Sequence, residues 1–406
     1  MKRCKITGMD PLAGIIVLLL AAKVIGELVE YLGYPSLLGE VLAGIALGPS
    51  LLNIIEINPI IQFFGRIGVI LLLFITGLEI NQKIFRSAGK QMLVTGLVTS
   101  ILPFIFGLLL GPLLSLSPYE TFFVAILFSL SSIAMTVRLL LSVRQLNSDF
   151  GLIIVGAAAV CTITGIILFG MLTSIQSEGV ITPYSIISPL LITLVFIVIM
   201  TTVGKIIYTF IFRRVELIQN HAFSYAAAFI FACGSAFISQ SIGITYVVGA
   251  FFAGLALSEI IHEDHNLHET LHTSAFGVFI TIFFASVGLL INLPLQELLT
   301  PMIIPLVGLA IATKILAGFI GSYPFLKDRG TALIVGLGMV TKGDLILALA
   351  QSAILAGLIS QQIYTATIVV VVVTILLTPV FLKTGLDLLK KGRKEAGITL
   401  SETTVE

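Results

Sequence analysis

Apolar residues in this chain run in long stretches broken by short polar segments. A helix that crosses a bilayer needs about 20 mostly apolar residues, and the chain offers about thirteen such runs. The breaks fall near 33–36, 54–58, 81–87, 115–119, 144–149, 176–184, 213–220, 241–244, 262–270, 292–300, 326–330 and 358–362. The pattern predicts an all-α polytopic membrane protein of about thirteen transmembrane helices, with nearly the whole chain in the bilayer.

The runs repeat. GEVLAGIAL at 39–47 is answered by GAFFAGLAL at 249–257, and GLEIN at 77–81 by GLLIN at 288–292. Each of the second pair follows a Gly-Val dipeptide (Gly68-Val69, Gly277-Val278) and a phenylalanine (Phe74, Phe284). Small-residue packing motifs recur in any helix bundle, but two matches at nearly one offset go beyond that. The offset covers seven spans, an odd number, so the second copy enters the membrane with opposite orientation. That is the inverted repeat of secondary transporters, whose sites lie at mid-membrane where broken helices meet. The expected division is a first six-span repeat over 1–184, a linking span within 185–218, a second repeat over 219–385 and a short cytoplasmic tail, 386–406.

Composition agrees. The 406 residues are 57% hydrophobic and 11% charged, with mean hydropathy +1.13, against ~25% charged in a soluble domain. A net charge of +1 without a basic stripe excludes nucleic acid as a partner. The charges are sorted by side. Lys83, Arg86, Lys90, Arg144, Arg213, Arg214, Lys327 and Arg329 sit at odd-numbered connections, and Lys383, Lys390, Lys391, Arg393 and Lys394 in the tail. The positive-inside rule then puts the N-terminus outside and the C-terminus in the cytoplasm of a cell (plasma) membrane protein. Lys2, Arg3 and Lys5 run against this, but no small-residue cleavage site follows before Lys23 and Glu27, so 11–32 reads as a span rather than a signal peptide. Cys4, Cys161 and Cys233 make no disulfide framework. The glycines around Lys342 lack the spacing of a phosphate loop. An enzyme, a cofactor and a resident metal are not expected.

Polar groups inside spans mark the candidate site. SLSSIAMT, with Ser129, Ser131, Ser132 and Thr136, sits in the fifth span, and GLGMVTKGD, with Lys342 and Asp344, in its repeat mate, the twelfth. Both read as broken helices presenting their opened ends to a shared cavity. Lys314 lies near the centre of the eleventh span, where a charge costs at least ~2.5 kcal/mol unless satisfied and is a functional candidate by default; the plainer reading is a structural lysine held by backbone carbonyls. Lys23 and Glu27, spaced i,i+4, are expected to neutralise each other, which leaves Glu40 without a nearby base. Arg66 and Arg138 mark span ends or a cavity wall. His262, His265, His268 and His272 follow the ninth span among carboxylates. They could sense pH, bind a metal or form an ordinary solvated loop.

GYPSLLGEVLAGIALGP (33–49), LLLFITGLEIN (71–81), GAFFAGLALSE (249–259), ASVGLLINL (285–293), ATKILAG (312–318) and GMVTKGD (338–344) resemble the monovalent cation:proton antiporter family 2, which includes sodium/proton antiporters and potassium-efflux transporters. The resemblance covers nearly the full length. It implies a homodimer, a dimer-forming body and a moving core, crossed broken helices in spans five and twelve, and elevator-type alternating access. In this family the sixth span carries an acid that binds cation or proton. Here Cys161 and Thr162 stand in that place, in GAAAVCTITGIILFG (156–170), and the acid is missing. A carboxylate can take a cation or a proton in turn, whereas a threonine hydroxyl cannot release a proton in a useful pH range. Lys314, Cys161 and Asp344 remain as candidates for the titrating group. The transport site is expected at Cys161, Thr162, Lys314, Ser131, Ser132, Thr136, Lys342 and Asp344, with sodium or potassium and the proton as cargo. The alternatives are a carrier of anions or neutral solutes and a non-transporting sensor on the same fold.

Overall fold

In the computed structural model, residues 10–80, 89–146, 148–178, 183–204, 206, 221–263, 265–291 and 302–395 are described; the described residues form helices joined by short loops, without strands. In chain order the helices are α1 (Pro11–Tyr31), α2 (Ser36–Leu47), α3 (Pro59–Glu79), α4 (Gly89–Leu113), α5 (Pro118–Ser129), α6 (Ile133–Ser142), α7 (Asp149–Glu178), α8 (Pro183–Ile199), α9 (His221–Ser241), α10 (Tyr246–Glu263), α11 (His265–Ser274), α12 (Ile280–Leu289), α13 (Ile303–Leu326), α14 (Arg329–Gly338), α15 (Asp344–Leu355) and α16 (Gln361–Glu395). Single π-helical turns, Met200–Gly204 and Ala275–Phe279, extend α8 and join α11 to α12.

Nine helical segments among the described residues are long and apolar enough to cross a membrane. The second, seventh, ninth and twelfth expected spans contain shorter apolar helices, Ser36–Leu47, Leu191–Gly204, Tyr246–Ile261 and Asp344–Leu355. Local chemistry sets several helix starts. The Asn58 side chain accepts from the Ile60 and Ile61 amides ahead of α3, with Pro59 at the first helical position. Ser117 and Glu120 form a capping box for α5, and Asp328 caps α14, so amides that α-helices leave unpaired are satisfied by side chains. At the other end, α16 continues to Glu395, past the expected start of the tail.

The helices sort into two bodies. In one, α1 packs on α2 and α9 on α10, while α2 pairs with α12 and α10 with α3. In the other, α4 packs on α5 and α13 on α14, with α4 and α13 in contact and α7 and α16 alongside. Each contact has a counterpart seven spans later, and the repeated glycines lie at the seams. A methyl on Gly44 would overlap the Ala285 carbonyl and one on Gly254 the Phe74 carbonyl; Gly288 and Gly77 face the Val41 and Phe251 carbonyls in return. The duplicated sequence is therefore a duplicated helix-to-helix contact in which only glycine lets the two backbones approach.

One expected pairing differs. Lys23 bonds to Glu40, Nζ to Oε1 3.4 Å, and to the Phe276 carbonyl at 3.0 Å, rather than to Glu27. Thr281 donates to the same Glu40 oxygen at 2.8 Å. The π-turn at 275–279 alters the carbonyl pairing there, and Phe276 O accepts from both Lys23 and Thr281. A tertiary partner that completes the bonding of a buried carboxylate prevails over an exposed i,i+4 pair worth a few tenths of a kcal/mol.

Candidate functional site

Both expected helix breaks are present, and they lie against each other. Between α5 and α6 the chain is extended at Leu130 and Ser132; between α14 and α15, residues 339–343 are non-helical. The Ser132 amide donates to the Thr341 carbonyl at 3.0 Å, and Ser131 Oγ to the Met339 carbonyl at 2.7 Å. Ser132 Oγ donates to Asp344 Oδ1 at 3.2 Å, and Thr136 Oγ1 to the Ser132 carbonyl at 2.6 Å. The Ser131 and Ser132 hydroxyls thus satisfy backbone groups at the breaks, the Met339 carbonyl and the Met135 amide.

Two lysines close the C-terminal end of α5. Lys342 Nζ donates to the carbonyls of Phe128 (2.9 Å) and Leu130 (2.6 Å). Lys314 Nζ donates to those of Ser129 (2.5 Å) and Thr99 (2.9 Å) and lies 3.7 Å from Cys161 Sγ. Three consecutive carbonyls at the end of a half-helix are therefore satisfied by lysine Nζ donors. Lys314 is 0% and Lys342 1% exposed. Cys161 also contacts Thr99 Oγ1 at 3.3 Å, and Thr162 Oγ1 donates to the Ser131 carbonyl at 3.4 Å. Cys161, Thr162, Lys314, Lys342, Ser131, Ser132, Thr136 and Asp344 thus gather at one crossing.

A cavity of about 520 Å³ opens beside the crossing between the two bodies. Asp344 reaches it; Lys314, Lys342, Cys161 and Thr162 are not among its lining residues. Its polar groups are Ser36, Glu40, Thr76, Glu79, Arg138, His268, His272 and Asp344, set in a wall that includes Leu72, Ile75, Met135, Phe276 and Phe284. Glu79, at the end of α3, is within electrostatic reach of both Asp344 and Arg138. It was not singled out in the sequence because it directly precedes a polar break and reads as an ordinary span end; its signal was a carboxylate in a repeat motif, GLEIN, whose mate GLLIN has leucine in its place.

His272 stacks on Phe276 with ring centroids 4.3 Å apart. The side chains of His262 and His265 lie outside the described residues, as do Cys4 and 396–406. Among the described residues no group of three or more His, Cys, Asp or Glu is placed to hold a metal ion. Cys161 and Cys233 are free thiols.

Crossed half-helices that meet beside a cavity between two helical bodies are the arrangement of a secondary membrane transporter. The match to known proteins is of the same kind. The chain belongs to the sodium/hydrogen exchanger transmembrane family, which matches residues 15–386. It is 30% identical over 375 residues to a Na(+)/H(+) antiporter of Enterococcus hirae, covering 91% of this chain and 97% of that one. It is 28% identical over 369 residues to the Na(+)/H(+)-K(+) antiporter GerN of Bacillus cereus, covering 91% and 94%. The solved structure of the sodium proton antiporter MjNhaP1 from Methanocaldococcus jannaschii has the same fold, with a TM-score of 0.66 at 16% identity over 91% of this chain and 95% of that chain.

Proposed function

We propose that this chain exchanges sodium or potassium for protons across the cell membrane by elevator-type alternating access, working as a homodimer, and that cation and proton compete at Asp344 with Glu79 beside it. One observation carries this reading: the cavity reaches these two carboxylates and leaves Lys314, Lys342, Cys161 and Thr162 outside its lining. Two carboxylates and water supply the oxygen donors that a hard alkali cation prefers over a thiol. A carboxylate binds a cation only when ionised, so arrival of a proton releases the cation and the reverse. Asp344 belongs to the body that carries the crossing and Glu79 to the other, so movement between the bodies would separate the pair and change the site's affinity from one side to the other.

In this reading the missing acid of the sixth span is replaced in function by Asp344 on the crossing, and Lys314 and Lys342 are fixed braces. Both amines are taken up by carbonyls, which removes the main support for an anion carrier. The cavity is walled by residues next to the first, third, fifth and ninth connections, the side assigned to the cytoplasm, and N-terminus outside with C-terminus inside is the matching orientation. The exposed stripe Leu12, Ile16, Leu20, Val24 and Leu28 on α1 offers a surface for lipid or a second copy.

The test is reconstitution into vesicles with an imposed pH gradient, adding sodium, potassium, lithium or chloride while internal pH is followed. Collapse of the gradient by sodium or potassium supports the proposal. Collapse by chloride alone, or by none of these, overturns it.

A further inference from the structure

We infer that the end of the molecule opposite the cavity is closed by a polar clasp, and that this clasp sets the balance between the two access states. It rests on the alternating-access reading above but not on which ion is carried.

Five hydrogen bonds join the two bodies at that end. Tyr246 Oη of α10 meets Ser352 Oγ of α15 at 2.7 Å. The neighbouring Gln351 donates from Nε2 to Ser286 Oγ of α12 at 2.7 Å. Gln361 and Tyr364 of α16 donate to the carbonyls of Leu290 (2.5 Å) and Val287 (2.8 Å). Ser174 of α7 donates to the Gly243 carbonyl at 3.3 Å.

Two further features hold the partners in place. Arg66 of α3 bonds to Gln240 and lies with its guanidinium carbon 4.8 Å from the centre of the Tyr246 ring, fixing that ring from behind. Gly65 leaves room for the second bond: a methyl there would stand 3.1 Å from Ser286 Oγ and 3.9 Å from Gln351 Nε2.

These residues lie by the second, sixth, eighth, tenth and twelfth connections, the side away from the cavity. Gln351 and Ser352 are about two helical turns beyond Asp344 on the same helix. A displacement of the crossing that opened the far side to Asp344 would have to part these side chains. The clasp therefore favours the state seen here. Each bond removed should shift the ratio of the two states roughly two- to tenfold towards the other state, the range set by the net worth of one hydrogen bond.

The experiment uses the full chain in vesicles, with Ala134→Cys at the cavity wall as reporter and a membrane-impermeant maleimide applied from either side; the same protein lacking Ala134→Cys gives the background from native cysteines. Without other changes the reporter should label from the cavity side. Tyr246→Phe should slow that labelling and raise labelling from the far side by a few-fold, and Ser352→Ala should do the same. Because both remove one bond, combining them should add nothing, whereas adding Gln351→Leu should shift the ratio again.

Unchanged labelling from both sides in well-folded Tyr246→Phe/Gln351→Leu protein overturns the inference. So does simple additivity of Tyr246→Phe with Ser352→Ala. Because the readout is accessibility, it decides the clasp even if no cation exchange is found.

Discussion

Replacing Asp344 by asparagine removes one charge and almost no volume. Asp344 is the first residue of α15, where a negative charge gains about 0.3–1 kcal/mol from the helix end. Asparagine keeps the oxygen that accepts from Ser132 Oγ at 3.2 Å, so the folded state should lose about 1 kcal/mol, a small shift of the thermal midpoint. The effect on the cargo is larger. A cation 4 Å from the carboxylate interacts with it by about 4 kcal/mol at an effective dielectric near 20. Losing that term weakens binding close to a thousandfold, and the amide cannot take up the exchanged proton. Asp344→Asn in vesicles should therefore melt close to the parent protein and show sodium- or potassium-driven proton movement at background level. Exchange at more than a tenth of the parent rate, or loss of folding instead of loss of exchange, would refute the assignment of this carboxylate.

Three other outcomes are expected. Gly44→Ala and Gly254→Ala place a methyl against matching carbonyls, so each should lower thermal stability by about 1–3 kcal/mol and by similar amounts; a cost at one site only would deny the duplicated contact. His268→Gln with His272→Gln removes two groups that gain positive charge as pH falls from a cavity already holding Arg138, with Glu40, Glu79 and Asp344 in its lining and Lys23, Glu27 and Glu30 around the adjoining recess. Exchange should then persist to lower pH, and an unshifted activity–pH profile would remove the sensing role. Thr162→Asp puts an acid beside the Ser131 carbonyl but outside the cavity lining and should leave the cation concentration for half-maximal exchange unchanged; a raised apparent affinity would return position 162 to the transport centre.

Much of the crossing was legible in the sequence because a charge or a run of hydroxyls inside an apolar span stands out. Lys314, Lys342, Asp344, Ser131 and Ser132 are conspicuous for that reason, and the structure brings them together. What the spacing could not give was the direction of each bond. Lys314 and Lys342 turn to carbonyls rather than to the cavity, which follows from three-dimensional crossing angles and not from order along the chain. Glu79 was hidden because a carboxylate beside a polar break looks like a span end. Lys23 was misassigned because the i,i+4 rule describes an isolated helix, and a buried Glu40 on the next helix offered more. The π-turn that contributes its Phe276 carbonyl to that network has no clear sequence signature.

Amines anchored to the polypeptide cannot depart with the cargo. Thr99, the carbonyls of Phe128 to Leu130 and both lysines belong to a single body, so in the proposed elevator motion the brace on α5 would travel whole, whether or not a passenger is aboard. A vacant carrier and a laden one would then share the same reinforced crossing, and the homeward stroke would need no borrowed ion to keep the half-helices together.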